Sequence, residues 1–501
     1  VGVDPRSPCI IGVAQRTWHL SGVEQAPEPL VMNAEVTRAA AADTGAAAGA
    51  VLGAVDHLQV VHTMSWPYDD PAGRVADALG IAPRALGYSG LGGTAVLRSV
   101  EGAATSIVAG ELDVAVVTGA EALDTVRRLK KAGERASWSH RHPRKQPLPF
   151  EVPFHPSEIA HEVFAAWLTF AVRDVARRAR CGVAPDVHAS EIGALMASLS
   201  EVAARNPHAW FPVARTAHEL ATPSPANRMV GYPYTKSEVA IMDVDMAAAV
   251  IVASQEAADR LGVPHERRVY LHGIARAADP VHLAEHPDLS RSPAMGRVFA
   301  SALGQAGVGI DAVDHLDLYA CFASAVTFAC DALGLQPSAV DRPLTVTGGL
   351  PYAGGPGSNY GSHALAAVVG ELRADPGSLG LVSGIGMHMT HHAAAVFGST
   401  PPAVPWRPAA EAAADPRSLA IVDTHEGDAT IAAYTVVHDR EGAPSWALAV
   451  VDLPAGSSED GPARAYARLE EQADLAELER AECVGRRVVL APDGQVNRAR
   501  L

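Results

Sequence analysis

Residues 9–15, CIIGVAQ, set apolar positions side by side, whereas PEPLVMNAEVTRAAAAD behind them spaces apolar residues three and four apart. The first pattern predicts a strand and the second a helix. The alternation continues: HLQVVHT (57–63) reads as a strand, 93–110 as a helix and DVAVVTG (113–119) as a buried strand. Further on, AIMDVD (240–245) predicts a strand and MAAAVIV (246–252) the start of a helix. Strands alternating with helices imply a parallel or mixed sheet covered on both faces, an α/β fold.

The same texture occurs twice. Ala54-Val55-Asp56-His57-Leu58 returns as Ala312-Val313-Asp314-His315-Leu316, and Asp77-Ala78-Leu79-Gly80 as Asp331-Ala332-Leu333-Gly334. Arg84 and Arg342 then each open a Gly-rich stretch, and an apolar strand follows at 113–123 and at 379–389. Several matches in one order indicate a duplicated domain; a solenoid has a far shorter period. Residues 1–122 with 238–270 form the first half and 271–400 the second, with an insertion at 123–237. Residues 401–417 read as a Pro/Ala linker. Beyond it, 430–454 predicts a hairpin turning at 439–442 and 484–494 a later strand, so 418–501 is expected to be a small β-rich domain of barrel type.

Composition narrows the function classes. The 501 residues are 48% hydrophobic and 19% charged, an ordinary globular balance, with a net charge of −16 that speaks against a nucleic-acid partner. No apolar run is long enough for a membrane span, and nothing at the start reads as a signal peptide. Five sparse cysteines without CxxC spacing fit neither a disulfide framework nor structural zinc, and point to a reducing cytoplasm. His388, His391 and His392 cluster, but no acidic or Cys partner lies nearby in sequence, so no metal is expected. Residues 127–145 break the acidic trend with eight Arg or Lys against one Glu. They read either as a solvated basic loop or as a patch for a phosphorylated small molecule.

Gly90-Leu91-Gly92-Gly93-Thr94-Ala95 matches the letters of the dinucleotide-binding fingerprint. That loop needs a strong apolar strand before it, and 84–89 is a poor one. Other motifs point elsewhere. GELDVAVVTGAEAL (110–123), VDMAAA (244–249), DLYACF (317–322), TGGLPYAGGP (347–356) and LVSGIG (381–386) resemble, in type and order, segments of the thiolase superfamily. The resemblance covers 9–399. It is closest to the sterol-carrier-protein-type thiolases and to the thiolase-like proteins of type 1, which carry an extra C-terminal domain resembling an OB fold. It implies a duplicated αβαβα fold with an inserted loop domain and a C-terminal OB-like β-domain. It also implies coenzyme A or an acyl-CoA as ligand, with Arg127, Arg128, Lys130, Lys131 and Arg135 as candidates for the CoA phosphates. The family's homodimer is expected, or a monomer if the extra domain covers that surface.

The resemblance also assigns catalytic positions. A thiolase nucleophile is a Cys at a helix N-terminus, where the dipole favours the thiolate. Here that position falls at Gly93, the activating His at Gly355, the second Cys near Gly384 and the oxyanion-hole residue at Tyr319. All four depart from the family pattern. Glycine can neither attack nor take a proton, so ordinary thiolase activity is not expected, and the place of the nucleophile reads as empty. Backbone N–H groups at the start of the 93–110 helix and in the 348–357 loop remain to bind a thioester oxygen.

Tyr319, Tyr352 and His363 are the candidate catalytic residues. Tyr352 and Tyr360 flank the missing His, and His363 is placed to reach back toward the site. The competing reading is structural: a buried tyrosine is more often a packing residue, and a helical His a hydrogen-bonded one. Ser89 reads as a turn hydroxyl and Cys321 as buried and inert. Three functions stay open. One is an acyl-CoA binder without thiolysis. Another is an acyl-CoA retro-aldol lyase, as in Cys-lacking relatives that use tyrosines and pair with a separate OB-fold protein. The last is a non-catalytic scaffold that recruits a partner through the OB-like domain.

Overall fold

A computed structural model describes residues 3–144, 154–409 and 417–501. The first half opens with β1 (Pro8–Thr17) and α1 (Pro29–Asp43), which starts at Pro29 because a first-turn proline gives up no helical hydrogen bond. After α2 (Ala48–Gly53) and β2 (His57–Val60) comes α3 (Pro71–Leu79), capped by Asp70 and stopped by left-handed Gly80. β3 (Ala85–Tyr88), α4 (Ala95–Val108) and β4 (Val114–Ala122) complete it. The insertion carries α5 (Leu123–Lys131), α6 (Pro156–Ala160), α7 (Ala166–Cys181), α8 (Pro185–Ala203) and α9 (Ala217–Ala221), then β5 (Met229–Gly231) and β6 (Tyr234–Thr235). The chain returns through β7 (Asp245–Ser254) and α10 (Gln255–Arg260). The second half contains β8 (Val269–Ala278), α11 (Pro293–Ala306), β9 (His315–Asp317), α12 (Ala323–Leu333), α13 (Tyr360–Ala374), β10 (Leu379–Gly386) and β11 (His391–Gly398).

Nine of these strands form one sheet in the order β3-β2-β4-β7-β1-β8-β11-β10-β9. Read outward from the middle, β1-β7-β4-β2 and β8-β11-β10-β9 are the same order, so the repeated sequence is a repeated topology. Among the described residues, the two half-sheets pair directly where Cys9 faces Tyr270 and Ile10 faces Val269. The recurring Asp-Ala-Leu-Gly has a physical reason: Gly80 ends α3 and Gly334 ends α12, both left-handed, at φ 71° and 72°. α4 and α13 pack between the half-sheets, Gly361 lying against Val96, where a Cβ would come within 2.9 Å of the valine Cβ.

Three expectations need correction. Residues 240–244 are not a strand, and 246–252 are not a helix. The latter belong to β7, whose ten residues are all buried between β1 and β4. The helix propensity of the alanines yields to burial on both faces, and small side chains suit a strand covered on both sides. The 84–89 stretch does form a strand, β3, but a four-residue edge strand with Leu86 48% and Tyr88 39% exposed.

The C-terminal domain holds β12 (Ala420–Ile421), β13 (Gly427–His438), β14 (Pro444–Asp452), β15 (Ala463–Leu469), α14 (Gln472–Arg480), β16 (Arg487–Asp493) and β17 (Val496–Arg500). Pairings β13–β14–β15–β17–β16–β13 close a five-stranded barrel with a helix before the fourth strand, the OB arrangement. The insertion and the barrel are stitched together. β5 pairs with β13, Tyr232 N–H donates to Val436 O (2.8 Å), and buried Arg178 of α7 reaches Tyr232, Tyr434 and Glu482. Among the described residues, no helix is long and apolar enough to cross a membrane. Part of the linker, 410–416, lies outside the described residues, as does Lys145.

Candidate functional site

The Gly-rich loop leads from edge strand β3 into central helix α4. Ser89 Oγ donates to Gly90 O (2.8 Å) and accepts from His62 N–H (2.9 Å), the work of a turn hydroxyl. Gly92 holds φ 133°, open to glycine alone, and its N–H donates to Ser358 Oγ (2.9 Å).

Position 93 is not empty. A Cβ built on Gly93 would lie 2.2 Å from Ile385 O, 2.5 Å from Tyr319 Oη and 2.6 Å from Tyr319 Cζ. The Tyr319 phenol and a strand carbonyl fill the space into which a nucleophile would project. Gly384 closes the same contact, its Cβ position 2.7 Å from Gly93 O. Gly355 lies apart, hemmed by Ile241 O and Leu350. So Gly93, Gly384 and Tyr319 converge, and Gly355 does not join them.

Tyr319 follows β9 and is anchored by its N–H to Ser383 Oγ (2.9 Å). Its ring stands edge-on to Tyr360, centroids 5.3 Å apart. Burial pushes the phenol pKa far up, so Tyr319 can donate a proton but does not ionise near neutrality. Beneath it lies a network the sequence did not reveal. Asp317 accepts from Thr345 Oγ1 (2.7 Å), Thr347 Oγ1 (2.7 Å), Thr347 N–H (3.0 Å) and Tyr360 Oη (3.1 Å). This buried carboxylate ties β9, the 345–357 loop and α13 together. Its signal was the Asp in DLYACF, which alternates with the apolar positions of a strand.

That loop does not offer the free donors expected of it. Gly348 N–H goes to Thr345 Oγ1, Gly349 to Thr347 Oγ1, Leu350 to Ala320 O, Gly355 to Ile241 O and Gly357 to Gly355 O. Irregular buried backbone tends to satisfy itself internally, which uses up these donors and leaves Gly354 N–H the one unspent among the described residues 348–357.

His363, on the second turn of α13, does not reach back to Gly93. Its Nδ1 is 3.0 Å from Gln15 Oε1 on β1, and burial, with His208 nearby, pulls its pKa down to about 3. Tyr352 is 2% exposed and lines a cavity of about 550 Å3 on the insertion side. Behind it sits Glu238, buried between α9 and the core and pushed up to about 8 by desolvation. Its carboxylate caps its own turn, accepting from Thr235 N–H (2.9 Å).

The mouth of this cavity includes Arg127, Arg128, Arg215 and Lys236. Two of the basic candidates are engaged: Arg127 with Asp124 (2.5 Å) and Asp243 (3.2 Å), Arg128 with Asp124 (2.6 Å) and the Gly22 and Glu24 carbonyls. Lys130, Lys131 and Arg135 are exposed on and just after α5. Arg215 and Lys236, which composition did not single out, have no ion-pair partner among the described residues.

A larger cavity, about 740 Å3, lies on the other side of the Gly-rich loop, between β3, α4 and the β10–β11 turn. That turn holds Met387 and Met389 at φ 56° and 62°, strained values for side-chain-bearing residues. His388 meets Thr169 and His392 meets Ser292 and Asp279, and no group of three or more metal-ligating side chains converges among the described residues.

Residues 408–495 match the family described as Thiolase-like protein type 1 additional C-terminal domain. Over the full length of both chains, this fold superposes on a monomeric SCP2-thiolase-like protein type 1 from Mycobacterium smegmatis, with 30% identity and a TM-score of 0.84. The Ltp2-ChsH2(DUF35) aldolase shares the fold at 19% identity and TM-score 0.60, covering 79% of this chain and 98% of its own. Human mitochondrial 3-ketoacyl-CoA thiolase does so at 16% and 0.56, covering 79% and 99%. No curated protein sequence matches this one.

Proposed function

We propose, since the chain belongs to the SCP2-thiolase-like proteins of type 1, that it binds coenzyme A or an acyl-CoA and performs no thiolase chemistry. One observation carries the second clause: the Tyr319 phenol and Ile385 carbonyl occupy the space a nucleophile on residue 93 would need. The ligand enters the 550 Å3 cavity, its phosphates on Arg215 and Lys236 and its pantetheine along Tyr352. Lys130, Lys131 and Arg135 extend the positive surface beside that mouth. Calorimetric titration with CoA tests the reading. Replacing Arg215 and Lys236 by Ala should weaken binding about tenfold, the loss of roughly two phosphate contacts at a wet rim. No heat with the wild-type protein at millimolar CoA overturns it. Intact-protein mass after incubation with acetyl-CoA should show no acyl adduct.

A retro-aldol lyase is the second reading, favoured by Tyr319, whose burial keeps its resting phenol protonated beside Gly93, and by the aldolase that shares the fold. In that reaction a base takes the proton of a β-hydroxyl and the Cα–Cβ bond breaks. A carbonyl compound leaves, and Tyr319 protonates Cα of the thioester enolate. Tyr319→Phe should then cut cleavage of a β-hydroxyacyl-CoA about 100-fold, the usual weight of a positioned proton donor. Unchanged turnover removes Tyr319 from the mechanism. The same family reading takes the chain as a monomer, as the mycobacterial relative is, and light scattering should return a single-chain mass.

A further inference from the structure

The cavity beyond the Gly-rich loop has a composition at odds with the rest of the molecule. The chain carries a net charge of −16, yet among the described residues no Asp or Glu lines this space of about 740 Å3. Three features converge there. The first is the N-terminus of α4, fourteen residues long, with no acidic residue in its first turn. Among the described residues, neither that first turn nor the cavity wall sets a carboxylate against its partial positive charge. The second is Thr94, 7% exposed, which lines the cavity at that helix end and makes no cap hydrogen bond. Its Oγ1 lies beside Gly386, another wall residue, 3.5 Å from where a Cβ there would stand. The third is Arg98, one helical turn on and so on the same face as Thr94. Arg98 lines the same space, and its guanidinium has no hydrogen-bond or ion-pair partner among the described residues. His57 adds a ring from the neighbouring strand.

We propose that this cavity binds a phosphate monoester, its oxygens held by Thr94 Oγ1, the Arg98 guanidinium and the N-terminal end of α4. A strand, a glycine-rich turn and a helix start present backbone N–H groups to an anion. Gly90, which lines the cavity, adds no side chain to block it. The arginine supplies the planar fork that matches phosphate geometry. Because the cavity is far larger than phosphate alone, an organic group fills the remainder. The site is separate from the CoA cavity and does not depend on it.

The experiment titrates the full-length protein with inorganic phosphate and with glycerol 3-phosphate at constant ionic strength, read by 31P line broadening and by thermal shift. Arg98→Gln and Thr94→Val are compared with wild type and with Arg480→Gln, an exposed change on the barrel helix. Wild type and Arg480→Gln should broaden the phosphorus line, with both site variants at least fivefold weaker and their circular dichroism unchanged. Tighter binding of glycerol 3-phosphate than of inorganic phosphate identifies the monoester as the class held; equal binding reduces the site to free phosphate and overturns that part. Wild-type affinity retained in Arg98→Gln, or no broadening up to 50-fold excess, overturns the site. Arg98 is exposed, so its loss leaves the fold intact, and Thr94→Val, which keeps the side-chain shape, gives an independent answer if one variant misbehaves.

Discussion

Gly93 shows how much one missing side chain can mean. A cysteine placed there has no room to act as a nucleophile, because Tyr319 and Ile385 already occupy its space. Gly93→Cys should destabilise the protein by about 1–3 kcal/mol, as overpacking does, and gain no acyl adduct; a denaturant melt with intact mass checks both. Buried ionisable residues set a pH dependence at the same scale. Glu238 is pushed from its ordinary 4.5 up to about 8. Between those values the unfolded chain holds this carboxyl ionised and the folded protein holds it protonated. Unfolding therefore releases a proton, and stability falls as pH rises across that window. Glu238→Gln should flatten the decline, measured as Tm against pH from about 5 to 8. His363 acts in the opposite sense. With its pKa pulled from 6.5 to about 3, it stays neutral in the fold while the unfolded ring gains a proton below pH 6.5. Its contribution is lost as the solution is acidified, and His363→Gln should lessen that acid loss.

At the scale of elements, the central helices α4 and α13 are the pieces whose contact places everything at the site. Their crossing depends on Gly361 lying against Val96. Gly361→Val should force them apart at a cost of about 2 kcal/mol, and Gly361→Ala should cost less, since alanine's helix propensity offsets part of the clash. The Asp317 network then sets the loop that faces them. It was not legible in the sequence, because Asp317, Thr345, Thr347 and Tyr360 come from three elements that only folding brings together. β7 was misread for a related reason. Its alanines carry a local helix preference, but the strand is buried on both faces between β1 and β4, and tertiary pairing outweighs local propensity.

At the scale of the molecule, the barrel is not an appendage. Buried Arg178 crosses from α7 to Tyr434 and Glu482, Tyr466 Oη donates to Glu158 (2.6 Å), and β5 extends the barrel's sheet. Arg178→Ala removes the buried guanidinium that donates to Tyr232 and Tyr434 and should cost about 2 kcal/mol by chemical denaturation. Removing 418–501 should leave a chain that binds ANS, because the faces of α7 and β5 against the barrel lose their cover. The sequence alone determined the duplicated, thiolase-like α/β architecture and the C-terminal barrel. Periodicity, repeated motifs and residue chemistry are local properties written in order along the chain. What fills the space beside Gly93, how the loop spent its donors and which cations line each cavity were decided only by the tertiary structure. Each depends on atoms far apart in sequence competing for the same few ångströms of buried space.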